Sequence, residues 1–486
     1  MSYKLYPIPP QGEALSNLYE LSVNGYSVPL HEAFVSAFPF NRRWPGHQRS
    51  FDQAEPVAYA SFSMDEPVKI IVKPLRSFTE AVVRPLSKKI LPIVEGNLIS
   101  FIVSEVGGYT LELDGYHNAL HIFADPLKIY NVDVTDKNVL YFGAGVHDAG
   151  MITLKSNQTL FVDEGAALYA TIHASDAENI KILGRGIINN SKNKETILFE
   201  PENLGDGTMD VGNSERLHTI QMKNCRNIEI DGITIHDSLV YNIAMFGCED
   251  VLIDNVKIIG CWRYNSDGID LHNCSRCVIK NCFVRTYDDA ICIKGHDGFP
   301  QICGDTIVEN CVVWCDWGKS MEIGAETRAE EIKNVTFRNC DLIRNSFAAM
   351  DIYNVDYGDV HNIVFENIRV EYDLVCQKPI LQKNDDESYP EDSDSTFMPW
   401  LMNAEIVKHM EYSEGQERRG KNRDIAFCNI QVSSDRMPPS QFSGYDDEHT
   451  TENVKIINLS WNGNKLINLK ESSAFVEKFA KNITIE

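Results

Sequence analysis

A chain of 486 residues, 43% hydrophobic and 24% charged, is long enough for a large core and has the composition of an ordinary globular protein. Its 45 basic and 70 acidic residues leave a formal charge of −25, which argues against nucleic-acid and anionic-membrane partners and disfavours a polyanionic substrate unless basic residues cluster locally. No apolar run approaches a membrane span, and Met1–Glu13 lacks the basic and apolar regions of a signal peptide, so a cytoplasmic location is expected.

Residues 1–130 alternate in short apolar runs, VKIIVKP, LISFIVSEV and YTLELDG, punctuated by Pro, Gly and Asp. With little helical periodicity between them, they predict a β-sandwich-like domain. Residues 131–486 are repetitive. Aligning IEIDGITI, LIDNVKII, VIKNCFVR, IVENCVVW, TFRNCDLI, VFENIRVE, AFCNIQVS and KIINLSWN superposes Asp231, Asn255, Asn281, Asn310, Asn339, Asn367, Asn429 and Asn458. Gly184 takes the same place upstream. The intervals are 24, 26, 29, 29, 28, 62 and 29 residues. Short β-rich repeats without helix between them predict an all-β fold, a right-handed parallel β-helix behind the N-terminal sandwich, with the asparagines stacked coil on coil.

The single long interval marks an insertion at about 375–422, acidic and Pro-bearing, with a short helix expected at AEIVKHMEY and with Phe397, Met398 and Trp400 as lid candidates. The thirteen cysteines fall about one per apolar segment without paired zinc spacing, which reads as buried thiols in a reducing compartment. Cys274 and Cys277 form one CxxC, taken as core and turn. Asn273, Asn334 and Asn458 head Asn-x-Ser/Thr triplets that belong to the repeat rather than to glycosylation.

Within NSDGIDLHNCSRCVIKNCFVRTYDDAICIK, Asp267 precedes Asp288 by 21 residues and Asp289 follows at once. Coils stacked about 4.8 Å apart bring the three together. Both members of the Asp288–Asp289 pair reach one cleft only if the strand ends or bulges there, because adjacent strand residues point to opposite faces. Counting seven to nine residues from each ladder position stacks Trp262, Arg263 and Tyr264 below Asp288, Asp289 and Ala290, and these below Trp317, Gly318 and Lys319. Twelve residues on, Asp267, Ile293, Glu322 and Asp351 form a second column. His236 and Tyr353 extend the groove, and Lys294 and His296 lie close in sequence. Like charges this close raise the pKa of at least one acid, which suits general acid-base work. Asp288 is expected to hold its proton beside ionised Asp267 and Asp289, in a groove exposed enough for removal of the acids to cost little stability.

Asn265-Ser-Asp267-Gly-Ile-Asp270 followed by Asp288-Asp289 resembles the NTDG and DD motifs of the polygalacturonases, glycoside hydrolase family 28. The sandwich-plus-helix plan is similar to the related dextranases and isopullulanases of family 49. The likeness covers about residues 135–370. It implies an inverting hydrolase in which Asp288 is the general acid and Asp267 and Asp289 position and deprotonate water. Where that family has Gly-His-Gly, this chain reads Trp317-Gly318-Lys319-Ser320, with His296 as an alternative histidine. In place of the uronate-gripping Arg-x-Lys stands Asp351-Ile352-Tyr353. A neutral sugar of dextran or other α-glucan type is therefore favoured over galacturonate, for which Arg263, Lys294, Lys319 and Arg328 would have to rebuild an anion site.

The competing readings are a β-helix lyase or epimerase, which would want a basic catalyst with Ca²⁺ or a basic uronate site, and a non-catalytic carbohydrate-binding protein, which needs no paired aspartates. No cofactor or metal motif is visible, and activity is expected to be metal-independent. A carbohydrate is the expected partner, and a homo-oligomer is left open.

Overall fold

The computed structural model describes residues 2–7, 12–36, 41–42, 54–192, 218–261, 265–372, 381–382, 397–410, 412–413 and 415–486. Among them the only helix is a single 3-10 turn, Leu86–Lys88. All else regular is strand.

The N-terminal strands form two sheets. One joins Tyr3–Leu5, Ala54–Met64, Leu120–Pro126, Gly107–Leu113 and Ala81–Arg84, with His31–Ser36 on Ala54–Met64; the other joins Tyr26–Val28, Tyr19–Val23, Val68–Pro74, Leu98–Val103 and Ile93–Glu95. Val68–Pro74 shows why they pair face to face: Val68, Ile70 and Val72 are buried while Lys69 is exposed, a period of two that gives each sheet one apolar face. Those faces close on one core with Leu21, Phe62, Phe101, Leu111 and Ile122. The pairing is antiparallel as expected, except that Leu120–Pro126 runs parallel to Ala54–Met64.

From Val139 onward every coil contributes one strand to a twelve-stranded sheet that ends at Ala480–Ile485 and further strands to a twenty-one-stranded sheet, almost entirely in parallel register. Alternation again decides what faces in. In Glu249–Asp254, Val251 and Ile253 point to the interior, and the next coils continue them with Cys277 and Ile279, then Thr306 and Val308. Phe337, Phe365 and Phe427 stack nearly parallel at 4.8 and 5.1 Å, one ring per coil. Each such ring removed from water contributes roughly 1.5–3 kcal/mol.

The asparagine column turns the chain. Asn255, Asn281, Asn310, Asn339, Asn367, Asn429 and Asn458 all sit at φ between 53° and 56°, the left-handed region that Asn tolerates because its amide bonds locally. Asn310 donates to Asn281, Asn367 to Asn339, Asn429 to Asn367 and Asn458 to Asn429 through their side chains. Two corrections apply. Asp231 pairs with Asp254, so the turn position in that coil is Gly232, not Asp231. Asn255 keeps its place but donates to Asp125 of the N-terminal sheet. A second left-handed column escaped the repeat alignment: Asn227 on Asn179, Asn362 on Asn334, Asn482 on Asn453.

The expected helix at AEIVKHMEY is not formed. Trp400–Ile406 is a strand lying between Ala348–Asn354 and Ser440–Ser443, because Met402, Ala404 and Ile406 alternate inward and the stacked coils supply both partners. The long interval is thus one coil with a lengthened excursion. Phe397 and Met398, lid candidates, pack against the helix interior instead.

The sandwich is welded to the coils by buried ions as well as by an apolar seam of Ala33, Val57, Tyr59 and Phe123 against Ile259, Phe283 and Trp314. Glu112 receives Arg84 at 2.8 Å and Arg344 at 2.6 Å. Asp125 receives Lys257 at 3.0 Å. Arg285 reaches His121 at 3.1 Å while lying 3.8 Å over Trp314. His236, expected in the groove, belongs to this seam: it is buried and bonds Asp237 at 2.9 Å.

Candidate active site

Phe283–Thr286 ends as a strand, the chain bends through residues 287–290, and a strand resumes at Ile291. That interruption lets Asp288 and Asp289 escape strict alternation. The next coil can approach them only because residue 318 is glycine: a Cβ there would lie 2.5 Å from both the nitrogen and Oδ1 of Asp289. Main-chain bonds fix the stacking, Gly268 N–H to Asp289 O at 2.9 Å and Ala290 N–H to Lys319 O at 2.8 Å. Asp267, Asp289 and Lys319 therefore share one column.

The second column differs from the expected one. Its members are Asp270, Cys292, Glu322, Asp351 and Asn403. Asp267 and Ile293 are not in it; Ile293 points into the core. Local alternation around the buried Ile269 and Leu271 was the signal that could have placed Asp270 and His272 outward. Glu326, Asn403, Glu405 and Tyr412 also join the site without having been expected.

Two lysines, Lys294 buried and Lys319 half-buried, organise the carboxylates. Lys294 Nζ lies 3.2 Å from Asp267, 3.2 Å from Asp270, 3.9 Å from Asp289 and 3.8 Å from Glu326. Lys319 Nζ lies 2.9 Å from Glu322 and 3.9 Å from Asp289, with the Tyr353 ring at 5.3 Å. Asp351 accepts from Asn403 at 2.7 Å. His296 lies 4.8 Å from His272 with the rings tilted at 42°, and neighbours Glu326. Trp317 lays its ring parallel to Tyr287 at 5.8 Å and packs on the interior, so its apolar surface serves the coil. Trp262 and Arg263 lie outside the described residues, as does Tyr264.

The acids are buried, not exposed: Asp267 is 2% accessible, Asp288 7% and Asp289 8%. Burial pushes Asp288 up to about 7, helped by the charge of Asp289. Its oxygens accept main-chain N–H bonds from Asn265 at 3.2 Å and Asp289 at 3.1 Å. Burial also opposes ionisation of Asp289, but Lys319 and Lys294 outweigh it and hold that carboxyl below the usual range. Asp267 moves well above the usual range through burial and then Asp270, despite Lys294. That shift works against the ionised form expected of it. Burial lifts Asp270 and Asp351 to about 7 and Glu322 well upward. Glu322 touches Lys319 yet is raised, while Lys319 stays charged. The two agree once Asp289 is counted, since Lys319 neutralises Asp289 and leaves Glu322 facing a carboxylate in a dry site. Glu326 is depressed, because Lys294 and His296 outweigh its burial. Two ammonium groups thus depress two carboxyls, Asp289 and Glu326, among acids that burial raises.

Asp289, Cys292 and Glu322 offer ligand atoms within 4.8 Å of one another. Lys319 and Lys294 already supply positive charge there, which a divalent ion would have to displace. Tyr412, from the long excursion, stacks on His409 at 4.4 Å and stands where it feels Lys319, Glu326 and the acid pair.

The family model for glycosyl hydrolases family 28 matches residues 128–391, more than half of the chain. A probable polygalacturonase of Arabidopsis thaliana is 29% identical over 127 residues, 25% of this chain and 26% of that protein. A probable exopolygalacturonase B of Aspergillus terreus is 25% identical over 209 residues, 40% of this chain and 45% of that protein. The chain thus spans between a quarter and just under half the length of these curated relatives. Dex49A from Penicillium minioluteum shares the fold with a TM-score of 0.61 and 14% identity, over 98% of this chain and 96% of that one.

Proposed function

Because this chain belongs to glycosyl hydrolases family 28, we propose that it hydrolyses glycosidic bonds of oligo- or polysaccharides with inversion at the anomeric carbon. The observation that carries this reading is the pairing of Asp288, raised to about 7, with Asp289, depressed below the usual range, in one bend of the chain. Asp288 donates its proton to the glycosidic oxygen. Asp289 accepts a proton from the attacking water, which Asp267 orients by donating its own hydrogen. Two carboxyls whose environments push their pKa values apart divide the acid and base roles between them.

The substrate we favour is a neutral sugar. The matched relatives are named as polygalacturonases, which supports the galacturonate alternative. Against it, three of the four cations that would hold a uronate are already engaged, Arg263 lying outside the described residues: Lys294 by Asp267, Asp270 and Glu326, Lys319 by Glu322, and Arg328 by Asp356 at 3.4 Å and Asp297 at 3.3 Å. Asp351 and Glu405 extend a face of carboxyl groups that offers a uronate no cation. Twelve described cysteines are all free thiols, eleven of them buried, which favours a reducing, cytoplasmic setting and oligosaccharides that have already been imported.

The test is hydrolysis of isomalto-oligosaccharides, aryl α-glucosides and oligogalacturonates in parallel, with the first product's anomer followed by NMR. Release from a neutral substrate with inverted configuration supports the reading. Retained configuration removes the mechanism, and turnover confined to oligogalacturonates removes the neutral substrate.

A further inference from the structure

On the N-terminal side of the acids the groove wall changes character. His218 lies below Tyr241, and Tyr241 below Asp267, as the bonds Thr219 N–H to Tyr241 O and Asn242 N–H to Asp267 O require. Alongside runs a column of Lys223, Phe246, His272 and Lys294. The residues alternating with these, Met222, Met245, Ile269 and Leu271 among them, fill the helix interior, so the rings stand outside it. Tyr241 and Phe246 form a separate cluster there.

The rings are stacked face to face. His218 and Tyr241 are 4.6 Å apart at 21°, Tyr241 and His272 6.4 Å at 12°, Phe246 and His272 4.2 Å at 9°. Faces so occupied offer no platform for a sugar ring, which leaves the edges of these buried rings. On two of those edges lies an anomaly: all four ring nitrogens of His218 and His272 are buried without a hydrogen-bond partner among the described residues. Such orphaned groups destabilise a free protein, and a ligand that satisfies them explains their presence.

The chemistry of that ligand is constrained. Burial drives His218 down to about 3 and His272 well below its ordinary value, so both are neutral, each with one N–H and one lone pair. Neither ring carries the charge that would attract a carboxylate, and each offers it a single N–H. The nitrogens do not converge on a cage either, since the one group of three ligand atoms among the described residues is Asp289, Cys292 and Glu322. Paired donors and acceptors at spaced edges match hydroxyl groups.

We propose that His218 and His272 form a subsite that reads the hydroxyls of a neutral sugar residue, roughly one or two units from the cleaved bond at about 4.8 Å per coil, toward the N-terminal coils. The inference rests on the hydrolase reading above and adds the residues and the side that set chain-length preference.

The experiment compares wild type with His218→Phe and His272→Phe, which keep a stacking ring but remove the nitrogens. Isomaltose, isomaltotriose and isomaltotetraose serve as substrates and, in the Asp288→Asn background, as ligands for calorimetry. Either Phe variant is expected to lose about 10-fold or more in affinity for the longer sugars and to lose the rate gained on lengthening the chain, with a melting temperature equal to or above wild type. His272→Asn, which keeps a donor and an acceptor, should recover part of that loss. Unchanged affinity and length dependence in both Phe variants would overturn the subsite, as would a lowered melting temperature with normal binding. Stoichiometric Zn²⁺ binding abolished in both would overturn its sugar identity. Failure of the wild type to bind or cleave any neutral or galacturonate oligosaccharide would instead remove the hydrolase reading beneath it.

Discussion

Each coil has two repeating faces built at the same spacing, and they solve opposite problems. On the turn side, amides stack on amides, as in Asn458 on Asn429 on Asn367 on Asn339, each donating to the last. A neutral dipole stacked on its copy is attracted to it, so repetition stabilises. On the groove side, carboxyls stack on carboxyls, Asp267 on Asp289 and Asp270 below Glu322 and Asp351. Repeating a charge does the reverse, and the protein answers with two lysines and with raised pKa values on most of the other acids. The turn face can thus be read as structure, whereas the groove face holds its protonation states under tension.

The largest expected contrast is catalytic. Asp288→Asn should lower kcat by roughly 10²-fold or more in reducing-sugar release, with little change in melting. Next, Lys294→Met strips the cation shared by four carboxylates. Breaking buried pairs in this way should cost about 3–5 kcal/mol in denaturant unfolding and should also raise the pKa governing the acidic limb of the rate profile, since Asp289 loses part of what keeps it ionised.

Titration separates the faces without mutation. For Asp270, Asp288 and Asp351 the folded pKa is raised to about 7, so their contribution to stability is fully present below the unfolded value near 4 and is lost as pH rises through 7. Calorimetric melting should fall across that window, and a wild type whose melting rises from about pH 4 to 7 would contradict the assigned protons. Activity should fall above about pH 7, as Asp288 loses its proton. The smallest effect belongs to the turn face. Asn367→Ala removes two amide bonds at a left-handed residue and should cost about 1–2 kcal/mol with turnover unchanged.

The turn face was also the legible one. An interval of 28 or 29 residues with an amide at a fixed place gave the coil, and it slipped where the coil shortened to 23, Asp231 pairing with Asp254, and Gly232 replaced Asn at the turn. The groove was harder because distances counted from the ladder accumulate every bulge and bend between. Asp289 opposes Lys319 rather than Gly318, and Asp270 rather than Asp267 heads the Glu322 column. Burial of the acids was hidden for a different reason: it depends on neighbours far away in sequence, such as Lys319 and Tyr412. The strand at Trp400–Ile406 outvoted a locally helical AEIVKH because partners on both sides were waiting for it.

The weld between sandwich and coils sets an order of events during synthesis. Residues up to Pro126 leave the ribosome first; Asp125 is then without Lys257, His121 without Arg285, and Glu112 has only Arg84 of its two guanidinium partners, beside the apolar side chains of Val57, Tyr59 and Phe123. Their partners Lys257, Arg285 and Arg344 are made 130 or more residues later. Until then the nascent sandwich has a sticky, charged flank that only its own downstream coils can cover. Slowing translation between residues 126 and 257, or expressing the sandwich alone, should therefore leave it a client of chaperones, whereas the same segment in the finished chain is sealed on both sides.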